Sequence, residues 1–354
     1  MFKDILKKRG VMKIWDNSTA WDKRREEIKD LLCREEYGYP PEKAKNVSFE
    51  LAEPEKYEDS FCAGNAKFLK LICRGEVYGR EFSFPFKAVI PKLGNNVPYF
   101  IHINFRPDIP DRYQPTEEII DNGFAIISVC YNDITSDNED FTNGVASAIF
   151  GGEERKPSDC GKIMIWAWAI SLLRDYAETL PFLDHGKCAV IGHSRLGKTA
   201  LIAGMMDERI KIAISNNSGC CGAAISREKI GESVDRICNF FPHWFCTNFY
   251  KYKRNEHEMP FDQHYLLASI APRNVYVASA QEDLWADPES EYLGCIAASE
   301  VYEKLGLKGL VGEELTPVPT KVYQEGSIAY HIRPGVHYLS REDWLYYMEY
   351  IKNL

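Results

Sequence analysis

The stretch Cys188-Ala189-Val190-Ile191-Gly192-His193-Ser194-Arg195-Leu196-Gly197-Lys198-Thr199-Ala200-Leu201 constrains the fold more than any other. A short apolar run meets a glycine, passes a serine and continues into small and apolar residues. That pattern is a buried strand, a sharp turn and a helix. Two chemistries share the spacing. A nucleophile elbow pushes the Ser194 hydroxyl out at the carboxyl end of a strand, although the second glycine, Gly197, stands one residue later than G-x-S-x-G puts it. A P-loop also fits, because Gly192 to Thr199 satisfies G-x-x-x-x-G-K-[ST], which would place Lys198 on nucleotide phosphates. A plain strand-to-helix turn is the third reading. The P-loop needs an apolar strand ending in a magnesium-binding aspartate. Neither 210–216 nor 274–280 ends that way, although Asp283 lies nearby, and His193-Ser194-Arg195-Leu196 is bulky for amides that must approach phosphate.

A chain of 354 residues can bury a substantial core. Its formal net charge of −9 argues against a nucleic-acid surface. Eleven cysteines are scattered, several in apolar runs, with no metal-type spacing. Reduced, buried thiols are therefore expected, with no metal and no cofactor, and a cytoplasmic location. Lysines and arginines interrupt the first fifteen residues, so no secretory signal is read there. No run is apolar for long enough to span a membrane.

Along the chain, an amphipathic helix is predicted over 19–36. Strands are predicted over 47–51, 66–73 and 80–90, the last two flanking a turn at Arg74-Gly75-Glu76. From Val97 onward strands alternate with helices, with strands near 98–105, 123–130, 188–192, 210–214, 274–278 and 320–323. The expected product is one α/β domain with a mostly parallel sheet and an antiparallel edge. It spans 1–354, with an N-terminal extension over about 1–95 and insertions at 132–158 and 219–263, the first read as a long polar loop.

A serine nucleophile needs a base, and the base needs a carboxylate. His337 lies in a glycine-containing loop between the last strand and the last helix, where a base belongs; His331, in a strand-like run, is the second candidate. The acid is sought after strand 275–280, where Asp283 comes first, then Asp287, then Glu282. Asp287-Pro288 also has the form of a helix cap.

The segment Gly192-His193-Ser194-Arg195-Leu196-Gly197-Lys198-Thr199-Ala200 resembles the G-C-S-R-x-G-K-x-A signature of the glucuronoyl esterases. Phe261 to Tyr265, Ile270 to Arg273 and Glu282 to Pro288 are similar to the bacterial branch, including relatives labelled acetyl xylan esterases. The likeness runs from about Pro98 to the C-terminus. It implies an α/β-hydrolase fold, a three-layer sandwich around a mostly parallel sheet with antiparallel N-terminal strands. It implies Ser194 as nucleophile and His337 as base. Arg195 would serve the oxyanion through its backbone N–H and guanidinium, aided by a backbone amide near 104–106. Lys198 and Trp285 would meet the sugar. The aromatic insertion (Phe240, Phe241, His243, Trp244, Phe245) is expected to line the sugar cleft, with Glu232 and Asp235 reaching it. The implied substrate is a carbohydrate ester of hemicellulose, either a 4-O-methyl-glucuronoyl ester or an acetylated xylo-oligosaccharide, internalised rather than polymeric. Two residues depart from the family pattern: His193 replaces its cysteine, and Asn217-Ser218-Gly219 replaces a Glu-Ser-Gly that carries the acid in many members.

Overall fold

The computed structural model describes residues 2–53, 61–92, 94–312 and 314–354. Its strands are β1 (Lys45–Leu51), β2 (Ala66–Val77), β3 (Arg80–Pro91), β4 (Val97–Asn104), β5 (Ala125–Cys130), β6 (Leu183–His193), β7 (Ile212–Asn216), β8 (Asn274–Ala280), β9 (Val322–Tyr323) and β10 (Ile328–Arg333). They form one sheet in the order β1-β2-β3-β5-β4-β6-β7-β8-β10-β9. The six central strands from β5 to β10 in that order run parallel. β1, β2 and β3 join antiparallel at one edge and β9 at the other. The mixed sheet expected from the order of elements is therefore present, and the N-terminal strands belong to it.

Residues alternate between the two faces of a strand, and both faces here are covered. Tyr99, Ile101 and Ile103, Cys188 and Val190, and Val275 and Val277 enter one apolar cluster. Phe100, Ala189 and Ile191, and Tyr276 and Ala278 enter the other. The first is closed by helices Lys162–Glu178, Arg195–Met206, His264–Ser269 and Pro288–Lys304, the second by Thr116–Asp121 and Arg341–Lys352. Helices thus lie on both sides of a near-continuous apolar sheet, giving three layers. The second helix in the chain, Trp21–Leu32, buries Trp21, Ile28 and Leu32 at helical spacing and is prolonged by a π turn, Cys33–Tyr37.

Three local expectations change. The β2–β3 turn is Tyr78-Gly79, with φ of 51° and 71°, because β2 continues through Arg74 to Val77, which pairs with Arg80. Two left-handed residues are what a two-residue hairpin of matching twist requires, and the glycine at 75 is instead a strand residue pressed by Phe82. The expected strand at 320–323 shrinks to β9, and the strand-like run holding His331 is the last parallel strand, β10. The stretch read as a polar loop at 132–158 contains helix Gly144–Phe150 and part of helix Tyr131–Ile134. All eleven cysteines are free and buried, Cys220 and Cys221 included. Among the described residues no helix is long and apolar enough to cross a membrane, and no His, Cys, Asp and Glu cluster is suited to a metal.

Candidate active site

The parallel strands end at a common edge, and the loops leaving β5, β6, β7, β8 and β10 meet there. Ser194 is the only residue between β6 and helix Arg195–Met206. Its φ of 59° and ψ of −128° are costly for a residue with a Cβ, which is the mark of a strained elbow. The Ser194 amide donates to Asn216 O at 2.8 Å, pinning the turn to β7. Gly192 has no alternative here: a Cβ would stand 2.1 Å from the Leu196 carbonyl oxygen. A Cβ at Gly197 would lie 3.1 Å from Ser218 Cβ, so the second close approach falls one residue later than in G-x-S-x-G. The same geometry disposes of the P-loop. A single residue between strand and helix leaves no loop to wrap phosphates, and the Lys198 ammonium is buried, donating to Ser218 O at 2.6 Å.

His337 and Ser194 line one cavity of about 220 Å³. His337 Nδ1 lies 2.5 Å from Asp283 Oδ2, so its hydrogen faces the carboxylate and Nε2 keeps the lone pair. Asp283 also accepts from Asn217 Nδ2 at 3.0 Å and from the Ala286 amide at 3.2 Å. Burial pushes the Asp283 carboxyl up, but His337 and these donors outweigh it and hold it below the ordinary carboxylate range. Asp287 does not join this pair. It caps helix Pro288–Lys304, accepting from the Ser290 amide and hydroxyl, and from the Ile230 amide. Glu282 is exposed. His331 is buried between Tyr276 and Asp343, on the opposite side of the sheet from the cavity's aromatic wall. His193 is packed against the candidate base, ring centroids 4.4 Å apart, with Nδ1 on Asn216 Oδ1 at 2.6 Å. Burial, reinforced by His337, pushes its imidazole down to about 3, so it stays neutral.

Arg195 pairs with Asp137. Lys198 lies 4.0 Å from Glu232, and both line the cavity with Trp285. The aromatic insertion divides: Phe241 and Trp244 line the cavity, Phe245 is core, and Phe240 is 66% exposed. His243 is not among the lining residues; it donates from behind to Asp137. Asp235 also lies outside the lining, paired with Arg254 at 3.3 Å. Of the amides near 104–106 expected to serve the oxyanion, that of Phe105 donates to Asn104 Oδ1 at 2.7 Å. At the elbow itself, the Gly197 and Lys198 amides donate to Ser194 O, and those of Arg195 and Leu196 open the helix ahead of them. Asp137 carried no signal in the sequence: it is one polar residue among many, 58 positions from Arg195.

A family model described as fungal glucuronyl esterase matches residues 76–306, well over half of the chain. The chain belongs to the glucuronoyl esterase family. It is 43% identical over 236 residues to a carbohydrate esterase of an unknown prokaryotic organism, covering 66% of this chain and 54% of that protein. It is 32% identical over 198 residues to 4-O-methyl-glucuronoyl methylesterase 1 of Wolfiporia cocos, covering 53% and 48%. The chain thus spans about half the length of the curated relatives it matches. The solved glucuronoyl esterase of Solibacter usitatus superposes with a TM-score of 0.84 at 31% identity, over 96% of this chain and 94% of that one. Asn217, in the loop after β7, donates its amide to Asp283 in the loop after β8.

Proposed function

We propose that this chain hydrolyses glucuronoyl esters of xylan-derived carbohydrates through an acyl-enzyme on Ser194. The observation that carries the reading is the Asp283–His337 pair at 2.5 Å, with His337 sharing the cavity of a serine held in a left-handed elbow. His337 Nε2 takes the Ser194 proton as Oγ attacks the ester carbonyl carbon. Arg195 and the first helical amides bind the oxyanion. The alcohol leaves with the proton from His337. Water then attacks the acyl-enzyme, again through His337, releasing the uronic acid and restoring the Ser194 hydroxyl. In a uronoyl ester the sugar is the acyl group and stays in the cavity through both steps. Lys198, Glu232 and Trp285, lining the same cavity as the nucleophile, suit a hydroxylated ring held there. Eleven free, buried thiols support a reducing, cytoplasmic setting and an internalised oligosaccharide as substrate.

Hydrolysis of benzyl glucuronate and of an acetylated xylo-oligosaccharide, compared on the wild type and on Ser194→Ala, tests this. Turnover of the glucuronate ester, lost in the variant by a factor of about 10⁴ or more, is expected. Turnover of the acetylated sugar alone would replace the uronoyl reading with deacetylation, and equal rates for wild type and variant would remove Ser194 from the mechanism.

A further inference from the structure

We propose that Asp137 is a positioning residue for the oxyanion: it clamps one corner of the Arg195 guanidinium so that the opposite edge is presented to the ester oxygen. This rests on the hydrolase reading above. Arg195 opens a helix, where the helix dipole disfavours a cation, and an arginine left free there would sample many rotamers. Something must hold it.

Asp137 does so from the loop after β5. One carboxylate oxygen takes Arg195 Nη1. The other accepts from His243 Nε2 at 2.8 Å and Trp244 Nε1 at 2.6 Å. With both oxygens engaged and its side chain 9% exposed, Asp137 cannot swing away. His243 meets Asp137 through Nε2, and its Nδ1 is buried without a partner, so the ring has no competing contact there. The guanidinium also lies against three rings, 4.7 Å from the centroid of Trp244, 5.2 Å from Phe241 and 5.7 Å from Phe105. Its plane is thereby set by packing and its rotation by Asp137. What remains is the Nε edge. Arg195 Nε is buried and has no acceptor among the described residues, a costly state for a charged donor unless an acceptor arrives during turnover. A donor fixed before the charge develops costs no reorganisation when the tetrahedral intermediate forms.

The test is a double-mutant cycle on benzyl glucuronate. Arg195→Ala should lower kcat by about 10²–10³, the usual loss for one oxyanion donor. Asp137→Asn should lower kcat by about 30-fold, with KM changed by less than about threefold, because the donor is kept but no longer aimed. The double variant should be no slower than Arg195→Ala alone. An unaltered kcat in Asp137→Asn, or losses that multiply in the double variant, would overturn the assignment. Should Asp137→Asn fail to fold, Trp244→Phe keeps the ring and removes one donor to the carboxylate. A several-fold loss of kcat that vanishes in the Arg195→Ala background is then expected, and a wild-type kcat would overturn the proposal. A wild type inert toward the ester would overturn the hydrolase reading itself, and this inference with it, before any variant is made.

Discussion

Two aspartates four residues apart have different work, and their hydrogen bonds say which. Asp283 gives one oxygen to His337 and Asn217 and the other to the Ala286 amide, whereas Asp287 gives both to backbone and serine donors at a helix start. Asp283→Asn is expected to lower kcat by about 10³–10⁴ with the protein still folded, since the imidazole loses its orienting anion. Asp287→Ala is expected to cost about 1–2 kcal/mol in a denaturant melt and to leave kcat within a few-fold. The reverse pattern would exchange their roles. Because Asp283 is held below the ordinary carboxylate range, its pairing contributes stability above that range and loses it only as pH falls through the lowered value.

At the level of elements, the elbow is a contact between two backbones. β6 and helix Arg195–Met206 approach so closely that Gly192 faces the Leu196 carbonyl. Gly192→Ala would force the two apart in a fully buried place, and a loss of about 3 kcal/mol or more is expected in a thermal melt followed by circular dichroism. A melt within about 1 kcal/mol of wild type would mean that the strand and helix do not meet this way. The 219–263 insertion is looser in its demands. Its aromatic residues share a composition but separate into cavity wall, core and exposed surface, and only Trp244 combines a ring on Arg195 with a donor to Asp137.

Across the whole molecule, buried histidines set an acid limit: burial lowers His264, and more strongly two others. Burial pushes His102 down to about 4 and His193, with His337 beside it, to about 3. In the unfolded chain both take a proton below about pH 6.5, while the folded chain takes none until far lower. Their effect is therefore absent above about pH 6.5 and grows as pH falls, by up to about 1.4 kcal/mol per pH unit each. Melting points measured at pH 7, 6 and 5 should fall increasingly steeply, and replacing His102 by Gln should flatten the slope even if it lowers the value at pH 7. A melting point constant over that range would contradict neutral burial of these rings.

Periodicity and local chemistry determined much of this protein. Apolar runs that alternate across two covered faces can only be inner strands of a layered sheet, and Gly192, Ser194 and Gly197 specify an elbow through steric limits that act within a few residues. That His337 and Asp283 meet beside Ser194 was expected from their places after the last two parallel strands, because chain order in such a sheet dictates which loops share its edge. The tertiary structure decided what sequence distance conceals. It separated Asp283 from Asp287 by their donors, packed His193 against His337, set the Asn217 amide on Asp283, moved His243 behind the cavity and tied the Phe105 amide to Asn104. Above all it joined Asp137 to Arg195, His243 and Trp244. A hydrogen bond between residues 58 or 107 positions apart leaves no local trace, since either partner alone is an ordinary polar residue until folding removes the water between them.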